Sequence, residues 1–366
     1  MLRILSIIAL FGCATSTRAA DADIDAILKG DNRRAAWDRL VERGPTALPL
    51  LLDTLGTRDN AAANWLRTAY DRIIDREMAA GGKRLDADLL LRFVEDPKHA
   101  GRSRRLALDT VEALKPGTRG KLIAGWLDDP EFRFDAIAEV VKKADGLPAN
   151  EAKAELTMAF TASRDIEQAK SIAVKLDKLQ SPVSVAKHLG CVLDWKVIGP
   201  FDAKNMKGFA TVYPPEEKID LTAEYAGKSG PVKWKPFVLK EPNPSGGGRF
   251  GLINLLVPFG QQYDAVAYAY TSVRVEKAIE AEFRGAGDDN FIVWVNGKRV
   301  FGFEEYRNGV RPDRHRFKVM LKEGDNAVLV KICQAPLDTA NSDPNWEFLL
   351  RIVDGQGKGL VFTTNP

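Results

Sequence analysis

The acidic loop Gly285-Ala-Gly-Asp288-Asp289-Asn290 sets two adjacent carboxylates beside an amide. Two adjacent carboxylates beside an amide can supply oxygen ligands for Ca²⁺. The alternative is a solvated turn at a strand end, where Gly and Asp serve the backbone. Phe303-Glu304-Glu305-Tyr306-Arg307 follows closely. An aromatic ring beside hydrogen-bonding forks is the general form of a sugar site, so Glu305, Tyr306 and Arg307 are candidate ligand contacts, with Tyr306 stacking on a ring face. Trp346 is a second candidate platform, but it shares strand parity with Phe348, Leu350 and Ile352 and reads equally as core. Cys191 and Cys333 can form a disulfide if the protein is exported, or remain two separate buried thiols.

Other motifs fail on inspection. Gly227-Lys228-Ser229 has the tail of a phosphate loop, but Thr222 stands where the leading Gly belongs. Gly285-Ala286-Gly287 begins a dinucleotide fingerprint, yet position six is Asn290 and the context is strand-turn-strand. There is no G-x-S-x-G elbow. The Pro in Asn243-Pro244-Ser245 blocks glycosylation. His99, His188 and His315 have no ligand spacing, and Arg311-Pro-Asp-Arg-His-Arg316 reads as a solvated loop. No catalytic residue is assigned, and no cofactor is expected beyond Ca²⁺ at Asp288 and Asp289.

The chain has 366 residues, 53 Lys plus Arg and 50 Asp plus Glu, a formal net charge of +3. Residues 21–180 carry 27 basic and 28 acidic side chains, and residues 181–366 carry 24 and 22. Neither half has the basic excess that phosphate binding relies on, so nucleic acid is not an expected partner. Met1-Leu2-Arg3, the apolar run Ile4 to Phe11 and Thr17-Arg18-Ala19-Ala20 follow the order of a secretory signal over residues 1–20. Leu10-Phe11-Gly12-Cys13 resembles a bacterial lipoprotein box, which would place a lipid anchor on Cys13. The run is too short for a transmembrane span, and no other segment qualifies. An exported location is expected: periplasm, cell envelope or outside.

Two kinds of element must position these residues. Over 21–180 the apolar period is helical: Leu48, Leu51, Leu52 and Leu55 fall at i, i+3, i+4 and i+7. Leu66, Tyr70, Ile73 and Ile74 form one further stripe, and Leu156 and Phe160 another. Gly44-Pro45 stops one helix, and Asp129-Pro130 opens another. Helical pairs start near residues 32, 61, 99, 131 and 165, a spacing that suits an α-solenoid or, failing that, an irregular bundle. Residues 181–190, with Ser181-Pro182 and Gly190, read as a linker. Over 191–366 the period falls to two: Ile279, Ala281 and Phe283 alternate with Glu280, Glu282 and Arg284. Asn296-Gly297 marks a hairpin, Gly324-Asp325-Asn326 a second turn, and Ser245-Gly246-Gly247-Gly248 a loop. Eight or more strands with such turns predict an antiparallel β-sandwich.

Particular stretches resemble known families. Arg33 to Leu55, as helix, Gly-Pro turn and helix, resembles a HEAT-type repeat. Phe291-Ile-Val-Trp-Val-Asn-Gly-Lys-Arg-Val-Phe301 resembles the strand-turn-strand of galactose-binding-like jelly rolls, which include the sugar-binding sandwich of family 2 glycoside hydrolases. Leu321-Lys-Glu-Gly-Asp-Asn-Ala-Val-Leu-Val330 is similar to the segment that follows it there. Asp194 to Asp202 and Phe209 to Pro215 resemble the opening of this module in exported bacterial proteins with helical repeats in front. The Asp288-Asp289 pair resembles that of PA14-type sugar-binding domains. The resemblance covers about residues 190–364. It implies a jelly roll and, as a ligand class, a glycan, and it places Glu305 to Arg307 near binding-side loops.

The expected protein is a signal peptide (1–20), a HEAT-like helical domain (21–180) and a galactose-binding-like β-sandwich (191–366). Its expected role is non-enzymatic binding: a protein or polymer on the helices, a glycan or polysaccharide on the sandwich. The alternatives are a purely structural protein-protein module of the cell envelope and a glycan-active enzyme, which would need two opposed carboxylates that the spacing does not pick out.

Overall fold

A computed structural model describes residues 22–57, 59–240, 250–306, 309–337 and 345–366. Residues 1–20, which read as a signal sequence and include Cys13, lie outside the described residues, as do the Ser245 to Gly248 stretch and Arg307. The chain divides into two compact units between Val140 and Val141.

The first unit is helical. Residues 22–29 form α1, followed by α2 (Arg33–Arg43), α3 (Leu48–Thr54), α4 (Asn60–Ala79), α5 (Ala87–Glu95), α6 (Gly101–Leu114) and α7 (Thr118–Ile123). The boundary between units falls inside α8 (Arg133–Ala144). Gly44 ends α2 with φ 67°, where a side chain would be strained, and Pro45 continues into a 3₁₀ turn. Asp59 caps α4 through the Ala61 and Ala62 amides, and Asp86 caps α5. The predicted stripes turn inward: Leu40, Leu51, Leu52, Leu66, Ile73, Leu90, Val94 and Val111 share one core. Arg104 is buried there, giving Nε to Val94 O at 2.7 Å and Nη2 to Asp129 Oδ2 at 2.7 Å. Burial disfavours the Asp129 carboxylate, but Arg104 and the amides of Glu131 and Phe132 outweigh it and hold its pKa below the usual value.

The second unit opens with α9 (Ala149–Ala162), α10 (Ile166–Lys178) and α11 (Val185–His188). Strand β1 (Asp194–Asp202) is followed by α12 (Pro214–Glu217), β2 (Glu224–Gly227), β3 (Gly230–Lys233), β4 (Lys235–Val238), β5 (Leu252–Asn254) and α13 (Leu256–Phe259). Then come β6 (Ala265–Val275), β7 (Ile279–Asp288), β8 (Asn290–Val295), β9 (Lys298–Phe303), β10 (His315–Leu321), β11 (Gly324–Gln334), β12 (Glu347–Val353) and β13 (Thr363–Thr364). One sheet runs β4-β1-β6-β11-β8-β9 with β13 on β6, a second runs β10-β7-β12-β5, and β2-β3 is a separate ribbon. The pairings are antiparallel, and the sheets do not close into a barrel. Val197, Ala267, Val293 and Val330 of the first large sheet meet Phe283, Phe348, Leu350 and Ile352 of the second in one shared core. Trp195 meets Phe348 edge-on at 5.2 Å.

The expected linker is part of this unit. Gly190 O accepts from Ile352 N at 2.8 Å, Leu189 O from Arg351 Nη1 at 3.3 Å, and a Cβ on Gly190 would lie 2.2 Å from Ile352 O. The unit boundary therefore precedes the change of periodicity, because period reports the kind of element and not the body it packs on. The loop expected to be solvated, Arg311 to Arg316, is exposed at Arg311, Pro312 and Arg316 but anchored at Asp313. Asp313 accepts from Arg351, which is 1 % exposed, and from Arg284 Nη1 at 3.2 Å. Burial alone would raise the Asp313 pKa, but the two arginines outweigh it and hold it below the usual range.

This clamp is testable. Asp313→Ala leaves a buried guanidinium uncompensated and is expected to lower stability by about 3–5 kcal/mol in urea unfolding near neutral pH. The wild-type contribution is present above the ordinary carboxylate pKa and disappears as pH falls through the lowered one. A loss below about 1 kcal/mol would show that Arg351 finds other partners.

Candidate functional site

The chain changes sheets at one residue. Strand β7 ends at Asp288 in the second large sheet, and β8 starts at Asn290 in the first. Gly285 and Gly287 precede the crossing because the Phe291 ring folds back over them. An added Cβ would lie 2.8 Å and 2.9 Å from Phe291 atoms. The Gly-Ala-Gly spacing is thus a packing requirement. Asp288 and Asp289 are 7 % and 3 % exposed, so the solvated-turn alternative fails. Asp289 donates its amide to Cys333 O at 2.9 Å and accepts Ala335 N on Oδ2 at 2.7 Å, locking the crossing to the end of β11.

Asp288 stands opposite Glu347 in the β7-β12 register, and both are buried. Burial, then the hydrogen bond and charge of Asp289, then the charge of Glu347 push the Asp288 pKa up to about 7, against a donated Gly309 amide. Asn290 is fully buried, and its Oδ1 accepts the Glu305 amide at 2.8 Å. Its buried Nδ2 finds no well-formed acceptor among the described residues, but it interacts with the Tyr306 hydroxyl. Tyr306 is half-buried and donates to Met206 O at 2.8 Å, and burial raises its pKa. Glu304 and Glu305 are exposed, and Arg314 donates to the Glu305 carboxylate. The structure therefore brings Asp288, Asp289, Glu305 and Tyr306 into one corner, which sequence spacing alone did not join.

Trp346 is placed differently from the platform expectation. It is fully buried with Phe259 at 5.7 Å and presents no face to a ligand. Its neighbour Glu347 takes the opposite parity, so the strand turns the tryptophan into the shared core. Cys191 and Cys333 are not bonded to each other. Cys191 bridges to Arg351 on the second large sheet, whereas Cys333 lies in β11 of the first, with burial pushing its thiol up to about 12. Among the described residues no group of three or more His, Cys, Asp or Glu side chains is arranged to hold a metal ion. Among the described residues no helix is long and apolar enough to cross a membrane.

Sequence reasoning missed a buried charge beside this corner. Lys331 has no exposed surface, and its Nζ reaches Glu216 Oε1 at 2.7 Å, Thr211 O at 2.6 Å and Phe209 O at 3.3 Å. The Tyr268 hydroxyl also donates to Glu216, and the Tyr213 hydroxyl donates to Asp202 O at 2.7 Å. Every Lys331 donor is satisfied, and segment 209–216 is pinned on the outer face of the first large sheet. The available signal was a lysine inside Val328-Leu-Val-Lys-Ile-Cys333, on the parity opposite Val328, Val330 and Ile332.

No family model matches the chain. No curated protein matches it. Among solved structures it is similar over 29 % of its length, at 18 % identity and a TM-score of 0.18, to a GH31 alpha-xylosidase from Xanthomonas citri. The match spans 15 % of that enzyme's chain.

Asp288 supplies a pH test. Between the ordinary carboxylate pKa near 4 and about 7, the native state holds a proton that the unfolded chain releases, so wild-type stability falls as pH rises through this window. Asp288→Asn keeps a neutral polar side chain and removes that loss. Its stability relative to wild type is expected to improve by on the order of 2 kcal/mol between pH 4.5 and pH 8, read by urea unfolding. Parallel profiles for the two proteins would contradict the raised pKa.

Proposed function

We propose that this protein is an exported, non-enzymatic binding protein. In this reading the helical unit is a HEAT-like solenoid offering its surface to a protein or polymer. The two-sheet unit is a galactose-binding-like jelly roll that takes a glycan at the corner of Asp288 to Asn290 and Glu304 to Tyr306. The observation that carries the reading is the convergence of a half-buried tyrosine and two exposed carboxylates on this corner, held there by the buried Asn290. A sugar hydroxyl can donate to Glu304 or Glu305. Tyr306 then contributes ring surface, its hydroxyl being engaged with Met206. The glycan class itself comes from the jelly-roll resemblance.

A second reading has its own support. Glu305 is tied to Arg314 and Asn290, and Tyr306 to Met206, as in a module whose loops serve only to dock other proteins.

Affinity electrophoresis of the full chain through gels cast with plant, bacterial and fungal polysaccharides separates the two. Under the glycan reading at least one polysaccharide retards the wild type. Tyr306→Ala and Glu305→Ala then weaken retention by about three- to tenfold each, on the order of 1 kcal/mol per lost contact, without a matching loss of Tm. Equal mobility in every gel would favour the docking reading.

A further inference from the structure

The first large sheet carries an aromatic ring on the face away from the shared core. Trp294 of β8 pairs with Leu329 of β11 and Arg299 of β9, and it is half-buried while its neighbours Val293 and Val295 face inward. Its indole N–H makes no hydrogen bond among the described residues. Beside it lies a cavity of about 150 Å³, lined by Trp294 and Leu329 from the sheet and by Pro215 to Ile219 from the covering segment. Gly297 and Ala327 border the remaining side, and a Cβ on Gly297 would meet nothing within 4 Å.

The wall opposite the tryptophan is held from behind. Glu216 turns inward to Lys331 Nζ at 2.7 Å and to the Tyr268 hydroxyl, and Pro215 is buried at the same turn. The next two side chains, Glu217 and Lys218, are exposed on the cavity lip. Neither makes an ion pair or hydrogen bond among the described residues. A buried ion pair gains little net stability over apolar packing, so its recognised use is to specify one arrangement of chain. Here that arrangement sets the Glu217 carboxylate and the Lys218 ammonium, whose charge also acts on Asp220, on the lip of the cavity that Trp294 lines. The polar groups are pre-positioned, which lowers the ordering cost of binding.

We propose that Trp294, Glu217 and Lys218 form a second binding site, for a single pyranose ring of a glycan. The proposal rests on the carbohydrate reading above and assigns it a place that reading does not use. The C–H face of a pyranose stacks on an indole as other apolar surfaces do, while its ring hydroxyls need both acceptors and donors at the edge. Glu217 supplies the acceptor, and Lys218 and the indole N–H supply donors. The volume is well below the roughly 300 Å³ where drug-sized pockets begin, so the site takes one ring, a chain end or a side branch.

The test uses the full chain with methyl glycosides of glucose, galactose, mannose and xylose as probes, read by saturation-transfer NMR. At least one glycoside should receive saturation on one ring face and half-saturate at millimolar concentration. Trp294→Ala should weaken it about tenfold and Glu217→Gln a few-fold, both read well below Tm, while Trp294→Phe, which keeps a ring packed on the sheet, retains part of the binding. Met320→Ala, at an exposed position of β10 in the second large sheet, should leave it unchanged. Equal binding by wild type and Trp294→Ala would overturn the Trp294 site and leave the corner as the glycan site. Polysaccharide retention without any methyl-glycoside signal would also overturn it. Absence of both in the wild type would bring down the carbohydrate reading, and this proposal with it.

Discussion

A strand that passes from one sheet to another within one residue must bury the polar groups at the bend. That constraint organises the second unit. At Asp289 the backbone and carboxylate are both spent on β11, through Cys333 O and Ala335 N. The neighbours then have little freedom. Asp288 faces Glu347 across the register, and Asn290 turns its oxygen to the Glu305 amide. The 304–306 loop is thereby fixed against the crossing, and the carboxylates, amide and phenol share one place. Two glycines make room because Phe291 lies over them.

The same economy recurs at three buried cations. Arg104 is matched by Asp129 and Val94 O, Arg351 by Asp313 and Leu189 O, and Lys331 by Glu216 with two backbone carbonyls. Each cation meets a carboxylate and at least one main-chain oxygen, the condition under which a buried charge is tolerated. In each case the partner belongs to a loop or covering segment. These pairs therefore attach irregular chain to regular elements. Apolar contact alone would fix such segments less specifically.

The residues that carry the resemblance to galactose-binding-like jelly rolls have structural work here. Asn296 and Gly297 take φ 51° and 78° in the two-residue turn between β8 and β9. Asn326 is buried and donates Nδ2 to Lys322 O and Gly324 O, while its Oδ1 accepts from Asn296 Nδ2 and Lys322 N. It clips two turns together. Such residues report strands and turn type, which is why the motif is legible as strand-turn-strand and silent about ligand.

Local periodicity in the sequence was enough to determine the helices of the first unit, the alternation of β7 and β10, and the Asn296-Gly297 hairpin, because each depends on neighbours a few residues away. Trp346 and Trp294 mark where that information ends. Trp294 sits in β8 and Trp346 directly before β12, yet one opens on a cavity and the other is sealed in the core. The difference comes from what lies across the sheet: an opposing sheet in one case, a short segment held by Lys331 in the other. The joining of Asp288, Glu305 and Tyr306, the separation of the two cysteines and the inclusion of residues 141–190 in the second unit were likewise decided by tertiary structure. They depend on contacts between residues far apart in the chain, which a local pattern does not encode.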